Sequence, residues 1–216
     1  HAEIFDLESS DRAFEEEVML SGFGTAPVKS EGSAINFDDA QETYTARYTM
    51  ETIALAFSIT EEAVEDNLYD RLAARYTRAL ARSMAQTKQI KGATVLNNAF
   101  STGSPIGDGA ALCSAAHPSL SGNQNNLLAT PADLNETSLE DILIQVAGFT
   151  DERGLKIAVR GTKLLIPKEL QFIAERIINS NLRPGSADND INAMKSMGML
   201  PEGAVVNHFF TDADAY

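Results

Sequence analysis

An α+β fold is what this sequence predicts, on three observations. Residues 61–91 contain neither Gly nor Pro and are dominated by Ala, Leu, Arg, Glu, Gln and Met, the composition of one long helix. Just before them, residues 42–59 alternate, with Tyr44, Ala46, Tyr48 and Met50 on one side and Thr43, Thr45, Arg47 and Thr49 on the other, which is strand spacing. After them come short helical and strand-like segments in mixed order.

The helix is expected over residues 60–100. Val64, Leu68, Leu72, Tyr76, Leu80 and Met84 recur every fourth residue and make a slowly drifting apolar stripe. Thr60 is placed to cap it, and Glu61, Glu62, Glu65 and Asp66 lie at the end where the helix dipole favours negative charge. Arg78, Arg82, Lys88 and Lys91 fall towards the other end. Thirty helical residues span ~45 Å, the width of a small domain. Arg71, Arg75, Arg78 and Arg82, spaced four, three and four, put a basic stripe on one face. Pairing with acids of the same or a neighbouring subunit is the preferred reading over contact with a polyanion, because acids are plentiful and no base-stacking aromatics accompany the row.

Elsewhere, Ser10 is read as the cap of a short acidic helix over residues 11–20, with Phe14 and Val18 buried and Gly22 and Gly24 ending it. Residues 33–37 are the expected antiparallel partner of 42–59, with 38–41 turning between them, so that a long hairpin projects. Residues 101–126, rich in Gly, Ser and Asn, read as irregular. Thr137 and Glu140 make a capping box for a helix that faces Leu139, Ile142, Leu143 and Val146 inwards. Strands are expected at 155–159, 163–166 and 204–210, and Pro167 opens a helix carrying Leu170, Ile173, Ala174, Ile177 and Ile178. The chain starts at His1 without Met and stops at Tyr216 in a strand-and-turn pattern, which reads as an ordered portion of a longer polypeptide.

The formal charge of −14, from 17 basic and 31 acidic residues, lacks the basic footprint of a nucleic-acid reader. No apolar run is long enough to span a bilayer, and the first residues lack the basic, apolar pattern of a leader. A single cysteine, Cys113, leaves no internal disulfide and fits a reducing compartment, so Asn135-Glu136-Thr137 reads as a helix cap rather than a glycan site.

Walker, dinucleotide, zinc-protease and paired-cysteine patterns are all missing. Gly103, Gly107 and Gly109 read as turn glycines, since no Lys-Ser/Thr follows them. Cys113 and His117 stand four apart, but Pro118 and the small residues around them favour a loop, hence a buried thiol and a loop-tying His over a nucleophilic pair. His208, between apolar neighbours, reads as structural. Asp188 and Asp190 read as a solvated turn capping residues 191–197 rather than a calcium loop, whose Gly and terminal Glu are absent. No catalytic, cofactor-binding or metal-binding residue is assigned.

Several segments, in order, carry a family resemblance. They are Arg47-Tyr48-Thr49-Met50-Glu51-Thr52-Ile53-Ala54-Leu55-Ala56-Phe57, Ile59-Thr60-Glu61-Glu62-Ala63, Asp66-Asn67-Leu68-Tyr69, Ala79-Leu80-Ala81-Arg82-Ser83-Met84 and Asn97-Asn98-Ala99-Phe100. Asp108-Gly109, Ser114-Ala115-Ala116-His117-Pro118, Asp151-Glu152-Arg153-Gly154-Leu155-Lys156, Asn189-Asp190-Ile191-Asn192 and Leu200-Pro201-Glu202-Gly203 continue the series. With them the chain resembles the major capsid proteins of tailed bacteriophages.

That resemblance implies the Hong Kong 97-type capsid fold. An N-terminal arm with a short helix would occupy residues 1–24, an extended-loop hairpin 25–58 and a peripheral-domain spine helix 59–100. Residues 101–216 would form the axial domain and part of the peripheral one, with the C-terminus incomplete. The implied function is self-assembly into hexamers and pentamers of an icosahedral head enclosing double-stranded DNA, without sequence-specific binding. The subunit would be made in the host cytoplasm, reside in the virion, be no enzyme and need no cofactor or membrane. Decoration, portal and scaffolding proteins are implied partners. Some members cross-link Lys to Asn; Lys29 is the one thin candidate, and no such pair is carried over. An encapsulin-like nanocompartment shell is the alternative within the fold, and a soluble Cys/His enzyme the alternative outside it.

Overall fold

The computed structural model describes residues 3–66, 69–183, 185, 187 and 190–216, with the side chains of 69–71 outside the description. Leu68 of the apolar stripe, the side chain of Arg71, and Asp188 thus lie outside the described residues. The elements run β1 (Phe14–Leu20), β2 (Glu42–Thr49), α1 (Glu61–Glu65), α2 (Tyr69–Asn97), α3 (Glu136–Ala147), β3 (Leu164–Pro167), α4 (Gln171–Asn179), α5 (Ala193–Met197) and β4 (Ala204–Asn207).

Residues 14–20 are a strand, not the acidic helix expected from Ser10 onwards. β1 pairs antiparallel with β2 from Phe14↔Thr49 to Leu20↔Glu42, with an irregularity between Val18 and Leu20. Glu16 and Arg47 sit opposite each other and form an ion pair, and the Arg47 guanidinium stacks 4.5 Å above the Phe14 ring. Cross-strand contacts of this kind override the helix propensity of three consecutive glutamates. Residues 33–37, the expected partner of β2, instead belong to a 21–41 connection. The hairpin forms a two-stranded sheet by itself, an arrangement with little stability of its own.

The long helix is present, but as two pieces. α1 has five residues, none buried, and Thr60 stands at its N-cap without a side-chain cap bond. Asp66 ends it, a residue type whose side chain competes with helical backbone bonding. α2 then runs 29 residues, ~43 Å. Its last turn holds no basic residue, because the helix runs on past Lys91, which pairs with Glu51, to Asn97.

The main hydrophobic cluster among the described residues has its buried members between 134 and 200, with Val206 and Tyr216 packed against it, while Ala93, Ala99 and Ala111 are buried outside it. Leu139 and Leu143 of α3, Leu164 and Ile166 of β3, Ala174 and Ile177 of α4, Met194 of α5 and Leu200 fill it. β3 and β4 pair in parallel from Leu164↔Ala204 to Pro167↔Asn207, with α4 and α5 in the crossover. The capping box of α3 is Asn135 with Ser138, two residues before the predicted Thr137 and Glu140. Asn135 is thus the helix cap expected of the sequon. Pro167 ends β3 in extended backbone, and a 3-10 turn, Lys168–Leu170, leads into α4. Around 155–159 only the bridge Thr150↔Lys156 forms, and the 204–210 strand stops at Asn207. Asn192, 1% exposed, caps α5 and gives its amide to the Ile177 and Ser180 carbonyls, stitching α4 to α5.

Candidate functional site

The N-terminal hairpin and α2 stand outside that core, and what holds them follows from a few turns. At residues 151–155 the Asp151 carboxylate accepts from the Arg153 and Leu155 amides, and Gly154 takes the positive φ of +83° that closes the turn. This presents Arg153 to the neck of the 21–41 connection. Its guanidinium donates to the Gly22 carbonyl at 3.2 Å, the Asp39 carbonyl at 2.5 Å and the Asp38 carboxylate at 3.4 Å. Asp38 also accepts from the Gly24 amide at 2.7 Å. That amide first, with the Arg153 charge, holds the Asp38 carboxyl below its usual range. Ser21 closes the neck: its amide donates to Gln41 and its hydroxyl accepts from the Gln41 amide.

The hairpin touches the body a second time at Gly107. A Cβ there would lie 2.8 Å from the Ala46 Cβ, so the loop can approach β2 this closely only with glycine. Next to it, His117 Nδ1 lies 2.7 Å from the Asp108 carboxylate, and the His117 backbone pairs with Gln124. A cavity of about 400 Å³ between hairpin and loop is lined by Met19, Tyr44, Asp108, His117, Gln124 and Glu152, among others. Burial, then the Asp108 and Glu152 charges, push the Tyr44 phenol above its usual pKa.

α2 is tied at both ends of its exposed stretch. Lys91 meets Glu51 at 2.5 Å, and Phe57 tilts against Tyr76 with ring centres 5.7 Å apart. At the far end the Asn97 amide donates to the Phe209 carbonyl and accepts from the Thr211 amide, joining the helix to the last residues. Between these points the helix is largely bare. Tyr76, Met84, Ile90 and Val95 of its apolar positions are exposed, as are Arg75, Arg78 and Arg82, which have no ion pair among the described residues.

Among the described residues, Cys113 and His117 do not form a reaction centre. Cys113 and His117 are not brought together: the thiol lines a second, apolar cavity of about 560 Å³ with Phe100, Ile142 and Tyr216, while the imidazole lines the hairpin cavity. Burial raises the Cys113 pKa, the wrong direction for a nucleophile. His208 lies exposed in a turn beyond β4, not inside a strand. Asn192, not Asp190, caps the helix that follows. Gly103 lies in a turn and Gly109 adopts a positive φ. Among the described residues no three His, Cys, Asp or Glu side chains could hold a metal, and no helix is long and apolar enough to cross a membrane.

Surface is what the chain has in excess. Its accessible area is 15769 Å², against about 9,700 Å² for a folded monomer of this mass. The difference, roughly 6,000 Å², equals several standard interfaces at ~800 Å² per partner. Much of it is apolar, including Val28 and Phe37 of the hairpin connection at 98% and 96% exposure.

The comparisons agree with a chain built for contact. A phage capsid protein family matches residues 43–216. Among solved structures, the capsid of bacteriophage JBD30 decorated with minor capsid protein trimers shares the fold at a TM-score of 0.66 and 12% identity, over 94% of this chain and 87% of that one. No curated protein matches the chain. With its mixed helix-and-strand architecture and a family match spanning most of its length, the chain belongs to the phage capsid proteins and is a structural component of the virion.

Proposed function

We propose that the chain is a major capsid subunit of the Hong Kong 97-type, which self-assembles into the hexamers and pentamers of an icosahedral head around double-stranded DNA. The observation that carries this reading is the roughly 6,000 Å² of surplus surface in a chain whose main buried cluster lies between residues 134 and 200. A hairpin and a ~43 Å helix with so little core of their own gain stability when copies cover them. In this reading the β1–β2 hairpin and its 21–41 connection are the extended loop, so the N-terminal arm ends before Phe14 rather than at residue 24. α2 is the spine of the peripheral domain, and residues beyond 101 supply the axial domain, with the Asn97–Phe209 bond returning the chain to the spine.

The work is mechanical. Each hairpin lies over a neighbour, each spine stiffens its tile, and many weak contacts sum through multivalency. A net charge of −14 limits adhesion of the shell to the genome. Decoration, portal and scaffolding proteins are proposed partners, the first by likeness to the decorated JBD30 capsid. Negative-stain electron microscopy of the full-length protein tests this: closed shells are expected, and monomers at every concentration would refute it.

A further inference from the structure

α1 and α2 carry two charged rows of opposite sign, and neither row has a partner among the described residues. Glu61, Glu62, Glu65 and Asp66 are exposed, and their side chains make no ion pair or hydrogen bond among the described residues. The same holds for Arg75, Arg78 and Arg82. At 100° per residue the three arginines fall within an arc of about 60°, clear of the apolar face of Leu72, Tyr76 and Leu80. The acidic row rises ~8 Å along its axis and the arginine row ~11 Å, similar lengths. Some basic side chains have acids beside them, as Arg47 has Glu16, Lys91 has Glu51, Lys163 has Glu202 and Arg183 has Glu136, whereas Lys88, Lys156, Arg160 and Arg176 share the unpaired state of the row among the described residues.

We infer that the acidic turn Glu61, Glu62, Glu65 and Asp66 of one copy docks on the Arg75, Arg78 and Arg82 row of the next, head to tail. The inference rests on the shell-subunit reading and names its partner surface. A guanidinium covered by a neighbour without a carboxylate leaves a desolvated, unpaired charge, which is strongly unfavourable. In an assembly of identical chains, the partner that supplies both row and counter-row is another copy. Head-to-tail contacts between different patches close into rings, as a hexamer or pentamer requires. Packaged DNA is the less favoured occupant of the row, because each chain carries 14 net negative charges that repel it.

Charge exchange in the full-length protein tests the contact. The triple variants Arg75→Glu/Arg78→Glu/Arg82→Glu and Glu61→Lys/Glu62→Lys/Glu65→Lys are each expected to raise the concentration needed for shell formation about tenfold or more. The six-fold variant that combines them restores the pairing with signs reversed and assembles within about threefold of wild type. Circular dichroism checks that each variant folds. Should reversal unfold the chain, Arg75→Gln/Arg78→Gln/Arg82→Gln carries the test, its assembly losing the wild type's sensitivity to added salt. Normal assembly of the arginine-reversed variant, or failure of the folded six-fold variant to recover, overturns the inference and leaves the shell reading standing. Normal assembly with lower DNA content assigns the row to the genome and overturns it too. A wild-type protein that forms no shells removes the shell reading itself, and the inference with it.

Discussion

The Arg153 guanidinium donates to the Asp39 carbonyl at 2.5 Å and so fastens the neck of the hairpin to a turn 114 residues further along the chain. With Gly22 and Asp38 also in reach, one side chain holds both edges of the 21–41 connection. The sequence places this arginine in a tight Asp-Glu-Arg-Gly turn, and the fold gives that turn its purpose.

Removing this anchor loosens the hairpin and leaves the core alone. Charge-assisted hydrogen bonds contribute ~1.5–3 kcal/mol each when well made. Arg153→Ala is expected to speed amide exchange in residues 21–41 by about tenfold or more, with the exchange of β3 and α4 unchanged. Arg153→Lys recovers little, because an ammonium cannot reach three acceptors in one plane. Hydrogen exchange with mass spectrometry reads both.

Exposed and buried apolar residues separate assembly from folding. Phe37→Ser removes a ring that touches little within the chain, so the subunit's stability stays within ~0.5 kcal/mol while shell formation falls sharply. Ile166→Ala, at a fully buried position, costs ~2–5 kcal/mol of folding stability. Urea unfolding together with particle counting distinguishes the two.

Asn192 links α4 to α5, capping one and binding the carbonyl end of the other. Asn192→Ala loses a helix cap and strands a buried carbonyl, for ~2–3 kcal/mol. Asn192→Asp keeps the cap acceptor but sets a buried carboxylate oxygen against the Ile177 and Ser180 carbonyls, and should cost at least as much as Asn192→Ala. Denaturant midpoints at constant m-value check the order.

The Lys91 hydrogen bond and charge hold the Glu51 pKa below its ordinary 4.5. A depressed folded-state pKa means stability that is complete above the unfolded value and lost as pH falls through the lowered one. The stabilisation that wild type shows over Lys91→Met should therefore be constant near neutrality and shrink only below pH 4.5. Asp38, also depressed, follows the same course, so acid frees the hairpin neck. Thermal midpoints of both proteins across the acid range give the test.

Cys113 is half-buried with its pKa raised by burial. Its reaction with iodoacetamide at neutral pH should be slower than that of a free cysteine by at least about tenfold. Kinetics of alkylation by mass spectrometry measure it.

The sequence disclosed its long-period elements best. The apolar positions of α2 and α4 repeat often enough to identify a helix, and Leu170, Ala174, Ile177 and Ile178 do form the core. β1 is hidden in the sequence because Phe14, Val18 and the glutamates fit both a helix and a strand, and its partner lies 22 or more residues away. The pairing moves from residues 33–37 to 14–20 and lengthens the hairpin, while β2 starts at Glu42 as expected but stops at Thr49 rather than running on to 59. His208 falls outside the expected strand because β4 stops at Asn207, where the Asn side chain accepts from the Phe209 amide and turns the chain. The contacts of Arg153 and Gly107 had no local signal at all. Each joins segments that composition and period treat separately, and each became visible only with the fold.

Cryo-electron microscopy of particles formed by the full-length protein tests the central claim most directly. The account predicts closed shells in which the 21–41 connection lies on a neighbouring copy, with Val28 and Phe37 covered by it. Solitary subunits whose hairpin packs against their own residues 134–200 would contradict it.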